Sequence, residues 1–318
     1  MAGRDARTPL EHREMKRIIC VGHAAIDRIY RIDEFPAKPT KIRALEHLEA
    51  GGGMAANAAA TIARLGGQVE LWSRVGDDDN GVKIRRSLTA AGVDTRYIQA
   101  FEENRSSTSV ILVDGRGERM IVGSRDVDMP SATQWLPLER IDEAGAVLSD
   151  LRWLEATRAA FTAARCAGVP TVLDADLGGR EALSELLALT DYAIFSEHAL
   201  EEFAAEEAIA DRLRRVAALG PKHAGVTLGA NGYVWLEGDT LESFPAFEVD
   251  VVDTTGAGDA FHGAFTVGVA ERRQIRDIVR RASAAAALKC TRLGSRAGLP
   301  SIDELATFLL AHPTARTS

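Results

Sequence analysis

The 318-residue chain is short of several things, and each shortage removes a class of protein. Its three cysteines, Cys20, Cys166 and Cys290, are far apart and form no C-x-x-C pair. That spacing supports neither a disulfide framework nor a thiolate zinc site, and fits reduced thiols in or near a core. Basic residues are outnumbered, 38 against 46, for a net charge of −8. A general binder of nucleic acid or of a membrane surface is therefore excluded, since both targets are anionic. No stretch approaches the roughly 18–20 uninterrupted apolar residues that span a bilayer. Met1 to Lys16 is charged and lacks the apolar run of a signal peptide, so the expected location is the cytoplasm. No G-x-x-x-x-G-K-[ST] occurs, which excludes a P-loop nucleotide site at motif level. Aromatics are 6% of the chain, while alanine and 28 glycines are plentiful.

What remains is 46% hydrophobic and 26% charged, ordinary for a soluble globular protein and too apolar for disorder. Apolar runs such as Arg17-Ile-Ile-Cys-Val-Gly22 read as buried parallel strands. Strand patterns at 69–75, 146–149, 171–175, 192–195 and 223–227 alternate with helical patterns at 54–65, 80–91, 155–167, 180–189 and 208–218. A hairpin around Gly238-Asp239 and two Ala-rich helices, 258–270 and 275–290, follow. This alternation predicts an α/β fold with a doubly wound, mostly parallel central sheet and flanking helices. Two stretches break the pattern. Residues 28–49 carry Pro36 and Pro39, and 107–124 read as a hairpin about Asp114-Gly-Arg-Gly117. They are expected to pair as a small β-sheet lid on one domain spanning 17–312, with polar tails at 1–16 and 313–318.

Three segments carry the chemistry. Asp253-Thr-Thr-Gly-Ala-Gly-Asp259 follows the apolar-alternating 247–252 and opens a helical pattern. A glycine turn at a helix N-terminus gathers backbone N–H groups into an anion site. A carboxylate there would repel a phosphate, unless an alcohol also enters and must lose a proton as it attacks; an N-capping aspartate is the plainer reading. Gly51-Gly-Gly-Met-Ala-Ala-Asn57 also enters a helix, and its glycines permit close backbone approach while Asn57 offers donor and acceptor. The same letters fit G-x-G-x-x-A, with Glu70 downstream, so an NAD-linked oxidoreductase stands as an alternative. Asp27 lies five residues past Gly22, at the sheet edge where open α/β folds bind ligands.

Together these segments resemble the ribokinase-like (PfkB) carbohydrate kinases. Gly51-Gly-Gly-x-x-x-Asn57…Gly66 is similar to the family's first signature, and Asp253 to Gly263 to its second. Val226-Thr-Leu-Gly-Ala-Asn-Gly232 resembles its nucleotide-side strand and loop. The resemblance implies transfer of the ATP γ-phosphoryl group to a sugar hydroxymethyl group. Asp259 would be the general base, and the N–H groups of Gly256, Ala257 and Gly258 the anion hole. Asp27, Gly52, Gly53 and Asn57 would hold the sugar. Thr227, Gly229, Gly232 and Ala287 would line the nucleotide side. It further implies Mg²⁺ with the nucleotide, K⁺ held through carbonyls at Asp253, Thr255 and the Arg292–Gly298 loop, and a homodimer formed through the lid. One departure is that the family's Asn-x-x-Glu, which organises Mg²⁺, reads Ser196-Glu-His-Ala199 here, leaving Glu197 as the carboxylate at hand.

Asp27-Arg-Ile-Tyr30, Arg74 to Asp79, Arg152-Trp153, Phe195-Ser-Glu197 and Ala287 to Arg292 with Arg296-Ala-Gly298 also resemble the sulfofructose kinase branch. That branch implies 6-deoxy-6-sulfofructose as acceptor, with Lys41 and Arg152 on its sulfonate. The third sulfonate ligand falls on Gly123, which has no donor side chain, with Arg125 close by. Other ketoses, a sugar phosphate, a nucleoside kinase and a non-catalytic sugar or nucleotide sensor on the same fold stay open.

Overall fold

The computed structural model describes residues 15–116, 118–176, 180–204 and 208–313. Most of the predicted N-terminal tail, Gly117 of the predicted lid turn and residues 314–318 lie outside them. The chain begins with β1 (Ile18–Val21), β2 (Ala25–Arg31), β3 (Glu46–Gly52), α1 (Met54–Arg64), β4 (Val69–Gly76), α2 (Asp79–Ala90) and β5 (Ile98–Phe101). Next come β6 (Ser107–Val113), β7 (Arg119–Ser124), β8 (Ala146–Ser149), α3 (Leu154–Ala167), β9 (Thr171–Ala175), α4 (Arg180–Leu187), β10 (Tyr192–Ser196) and α5 (Glu197–Phe203). The rest is α6 (Ile209–Ala217), β11 (His223–Thr227), β12 (Tyr233–Glu237), β13 (Thr240–Phe244), α7 (Ala257–Ala270), α8 (Ile275–Cys290) and α9 (Ile302–Ala311). β5, α5 and α9 are additions to the sequence reading, and the alternating stretch 247–252 is irregular, with Val251 and Val252 exposed.

The main sheet runs β13-β12-β11-β10-β9-β8-β1-β4-β5, parallel from β11 to β5 and antiparallel across β12 and β13. Every residue of β1, β8 and β9 is buried, as a sheet covered on both faces requires. One apolar layer joins α1, α7 and α8 through Ala59, Phe265 and Ala282. The other joins α3 to α6 through Phe161, Leu186, Phe203 and Leu213. Each such large side chain contributes roughly 1.5–3 kcal/mol on burial. From β1 the chain winds first to β4 and later to β8, so the order reverses between β1 and β8. Ligands of open α/β sheets bind outside the strand ends at such a reversal.

The two predicted excursions do meet. β3-β2-β6-β7 form a separate four-stranded sheet in which β2 and β6 run parallel, Ala25 opposite Ser107. Its small core is Ile29, Ile111 and Val113 with Leu48 and Ala50. The whole of β7 is exposed, and Arg119 at its start donates to Thr254 Oγ1 of the 253–259 loop. The lid therefore rests on the segment that the sequence marks as chemical.

Candidate active site

Asp259 lies in the first turn of α7, whose N-cap is Gly256 at φ 78°, a left-handed conformation that favours glycine. Its carboxylate does not cap the helix. It accepts from Asn57 Nδ2 at 2.7 Å. Asn57 sits at the start of α1, and α1 and α7 approach closely because Gly263 has no Cβ; one placed there would lie 2.6 Å from the Ala58 carbonyl. Of the three predicted anion-hole groups, Ala257 N–H turns back onto the Thr254 carbonyl at 3.1 Å. The N–H groups of Gly256 and Gly258 have no hydrogen-bond partner among the described residues, and the space beside Gly258 is open. Of the three N–H groups expected to form an anion hole, two are thus without a partner among the described residues.

Arg296, which the sequence placed only within the loop near the K⁺ position, holds this arrangement. Its guanidinium donates to Asn57 Oδ1 (2.8 Å), Ser87 Oγ (3.0 Å) and the Gly52 carbonyl (2.8 Å). With Oδ1 so engaged, the Asn57 amide can only turn its Nδ2 to Asp259, leaving one hydrogen for a ligand. Gly51 is needed beside it, since a Cβ there would strike the guanidinium at 2.1 Å. Ser295 adds a bond from Oγ to the Gly51 carbonyl at 2.6 Å. Burial lowers the Arg296 pKa to about 10, against the nearby Asp27 and Asp259.

Burial and the neighbouring Asp174 raise Asp259 to about 7, while the Asn57 bond pulls it down. Asp174, fully enclosed and facing Asp176 and Asp150, is raised well above the carboxylate range. His262 Nδ1 donates to the Gly258 carbonyl at 2.7 Å, and burial lowers its pKa. Asp150, a second residue unassigned from sequence, accepts from His23 N (2.8 Å), Ala55 N (3.1 Å) and Arg152 N (2.8 Å). It ties the ends of β1 and β8 to the start of α1.

Asp27 is buried in the lid strand β2, accepts from Ser109 Oγ at 2.5 Å, and is raised by burial. Gly52, on the neighbouring strand β3, lies against it, where a Cβ would be 2.3 Å from that carboxylate, and Gly53 at φ 91° turns the chain into α1. Arg152 follows β8, with its guanidinium 3.6 Å from Asp176. Arg74 stacks on Trp153 at 4.3 Å and donates to the Pro130 carbonyl. Arg74, Arg125 and Arg152 all act to lower His23, after the larger effect of its burial. Lys41 is exposed on the irregular stretch between β2 and β3, with no hydrogen bond or ion pair to described residues. Gly123 is exposed in β7, opposite Ser109.

Thr227 ends β11 beside Ser196 of β10, and Gly229 and Gly232, at φ 55° and 90°, form the following turn. Ala287 is nearly buried in α8, and no hydrogen bond joins it to that turn. Glu197 begins α5, exposed, and lines a cavity of about 260 Å³ with Leu200, Ile209, Arg212 and Leu228. None of the 51–57 or 253–259 residues borders that cavity. The dinucleotide reading fails on geometry too. Gly51 and Gly52 end an edge strand of the lid rather than a buried first strand. Glu70 is buried between Arg17 and Arg140.

The residues present fit Mg²⁺ but not K⁺. Among the described residues no group of three metal-ligating side chains occurs, yet Mg²⁺ with bound phosphates needs only one or two carboxylates. Asp176, one-third exposed and bonded to Ser196 Oγ at 3.1 Å, would hold it, with Asp174 behind, and a cation would relieve their crowding. At the predicted K⁺ position the Asp253 carbonyl is taken by the Lys289 ammonium at 2.6 Å. The carbonyl that would anchor the cation is thus already occupied by a fixed charge, and Thr255 Oγ1 beside it is buried with no hydrogen-bond partner among the described residues.

Residues 15–302 match the pfkB family carbohydrate kinase description. The chain is 30% identical over 297 residues to the ribokinase of Bacillus subtilis (strain 168), covering 93% of this chain and all of that one. It is 32% identical over 302 residues to the ATP-dependent ribose-1-phosphate kinase of Halopiger xanaduensis, covering 93% and 98%. A crystal structure from Agrobacterium tumefaciens, provisionally named a ribokinase, aligns at TM-score 0.89 and 37% identity over 93% of this chain and 98% of that one. Arabidopsis thaliana ribokinase complexed with ribose and ATP aligns at 0.82 and 26%, over 92% and 98%.

Proposed function

The chain belongs to the pfkB family of carbohydrate kinases, ATP-dependent phosphotransferases, and from that premise we propose how its own residues carry out the transfer. The acceptor hydroxymethyl oxygen attacks the γ-phosphorus of ATP, the bond to the ADP oxygen breaks, and the hydroxyl proton passes to Asp259. The free N–H groups of Gly256 and Gly258 meet charge developing on the transferring group. Asn57, turned by Arg296, aims the base, and its spare amide hydrogen reaches a sugar oxygen. Asp27 takes hydrogen bonds from sugar hydroxyls, with Gly52 and Gly53 clearing the space. Thr227, Gly229, Gly232 and Ala287 lie toward the nucleotide. Mg²⁺ supplies neutralisation of phosphate charge. The observation that carries the reading is one carboxylate, raised to about 7 and bonded to Asn57, beside two free N–H groups. A base with a pKa near the working pH suits proton transfer.

For the acceptor we infer an anionic ketose, 6-deoxy-6-sulfofructose. Support comes from Arg152 at the reversal of the sheet, and from Arg125 and Arg74 acting with it on His23. A phosphorylated or free pentose is a second reading, favoured by the ribokinases and the ribose-1-phosphate kinase that the chain resembles. The test is ADP release with sulfofructose, fructose, fructose 6-phosphate, ribose, ribose 1-phosphate, 2-keto-3-deoxygluconate and adenosine. No ADP with any acceptor overturns the kinase reading. Equal losses on sulfofructose and fructose in Arg152→Ala overturn the sulfonate role. The lid is proposed to pair two copies, because Met120, Ile121 and Val122 of β7 are each more than half exposed; a monomer by light scattering refutes this. No helix among the described residues is long and apolar enough to cross a membrane. Three unpaired cysteines support a cytoplasmic setting.

A further inference from the structure

Lys289 has 0% exposure, in the last turn of α8. A lysine is almost never buried so completely unless its charge is met. Its ammonium lies 2.6 Å from the Asp253 carbonyl oxygen and 3.5 Å from the Asp253 carboxylate. Asp253 is where the two loops of the site are fastened together. Its Oδ1 accepts from Thr255 N and its Oδ2 from Gly294 N, both at 2.8 Å. Its own N–H donates to the Cys290 carbonyl at 3.1 Å. Three residues further on begins the turn that presents the free N–H groups of Gly256 and Gly258.

This is the position where the family resemblance implies a monovalent cation held by carbonyl oxygens. A mobile K⁺ on the Asp253 carbonyl would stand within a few ångströms of the ammonium, and two like charges in a closed loop repel strongly. The ammonium carries the same unit charge, and it is covalently retained.

We propose that Lys289 is this chain's own monovalent cation: it replaces bound K⁺, keeps the 253–259 loop ordered at all times, and makes the enzyme independent of K⁺. The catalytic consequence rests on the kinase reading above; the occupancy of the site does not. Lys289 acts here as a positioning residue, with no contact to substrate.

The full chain, exchanged into a buffer whose only monovalent cation is tetramethylammonium, is assayed for ADP release and thermal melting with and without added K⁺. Crystals soaked in Rb⁺ or Tl⁺ are examined for anomalous density. Turnover is expected to change by less than about twofold and the melting temperature to stay fixed. No anomalous peak is expected beside the Asp253 carbonyl. Activation by K⁺ of about tenfold or more, a K⁺-dependent rise in melting temperature, or a peak at that carbonyl overturns the proposal. Lys289→Ala is expected to lose about tenfold or more of its turnover without K⁺ and to regain part of it with K⁺ or NH₄⁺. Full activity of that variant without K⁺ also overturns it. If the variant fails to fold, the wild-type measurements decide. If no acceptor yields ADP in any salt, the kinase reading falls, and melting and anomalous density still judge the cation site.

Discussion

Replacing Asp259, the proposed catalytic base, is expected to make the protein more stable, and the gain must depend on pH. Asp259 is raised from the ordinary aspartate value of 3.8 to about 7, chiefly by burial and by Asp174. A carboxyl raised on folding binds its proton more tightly in the folded state. Its contribution is therefore fully present below about pH 4 and is lost as pH rises through 7. At about 1.4 kcal/mol per tenfold in proton affinity, ionising Asp259 inside the fold costs up to ~4 kcal/mol at pH 8. Asp259→Asn removes the ionisation and keeps an oxygen to accept from Asn57 Nδ2. Urea melts are expected to show the variant more stable by as much as ~4 kcal/mol at pH 8, by under half of that at pH 5, and by almost nothing near pH 3. Turnover is expected to fall by about 10²–10⁴-fold. In the wild type kcat/KM is expected to decline below about pH 7, as the base takes up its proton. A gain equal at pH 8 and pH 5, or none at pH 8, would refute the idea that burial of this charge sets its basicity.

Two further substitutions probe the supports of that base. Arg296→Met removes three bonds from one buried guanidinium; a net loss of ~2–4 kcal/mol in urea melts and a fall of about tenfold or more in kcat are expected, because the Asn57 amide is freed to flip. An unchanged kcat would remove Arg296 from the aiming of Asp259. Gly52→Ala puts a Cβ 2.3 Å from the Asp27 carboxylate, so the KM for the sugar is expected to rise about tenfold with that for ATP unmoved. Steady-state kinetics with each substrate varied would show equal effects on both if Gly52 served only the fold.

The alternation of apolar strands with Ala-rich helices was enough to expect the parallel sheet. The proline-bearing and hairpin stretches were enough to expect a separate small sheet, because both signals are local. The 253–259 and 51–57 glycine turns could be singled out for the same reason: glycine at a helix entrance has a short-range cause. Arg296 and Lys289 could not be read. Arg296 stands in a short loop with Gly294 and Ser295, and Lys289 near the end of an alanine-rich helix, and what each side chain meets is decided by partners up to 244 residues away. Asp150 was hidden similarly, since its backbone partners at His23 and Ala55 are set by the packing of β1 against β8. Glu197, at the start of α5 just after its Ser196 cap, borders the α5–α6 cavity, a placement that its position in sequence did not disclose.

The clasp between Arg296 and the 51–57 turn also bears on how the enzyme comes into being. Asn57 and Asp259 are 202 residues apart in sequence, and Asn57 and Arg296 are 239 apart. At the usual pace of translation, roughly 10–50 s separate the emergence of Asn57 from that of Arg296. Until then the amide lacks the partner that turns it, and the base has no fixed aim. A nascent chain that displays both glycine turns but has not yet reached Arg296 is therefore expected to lack the partner that orients Asn57.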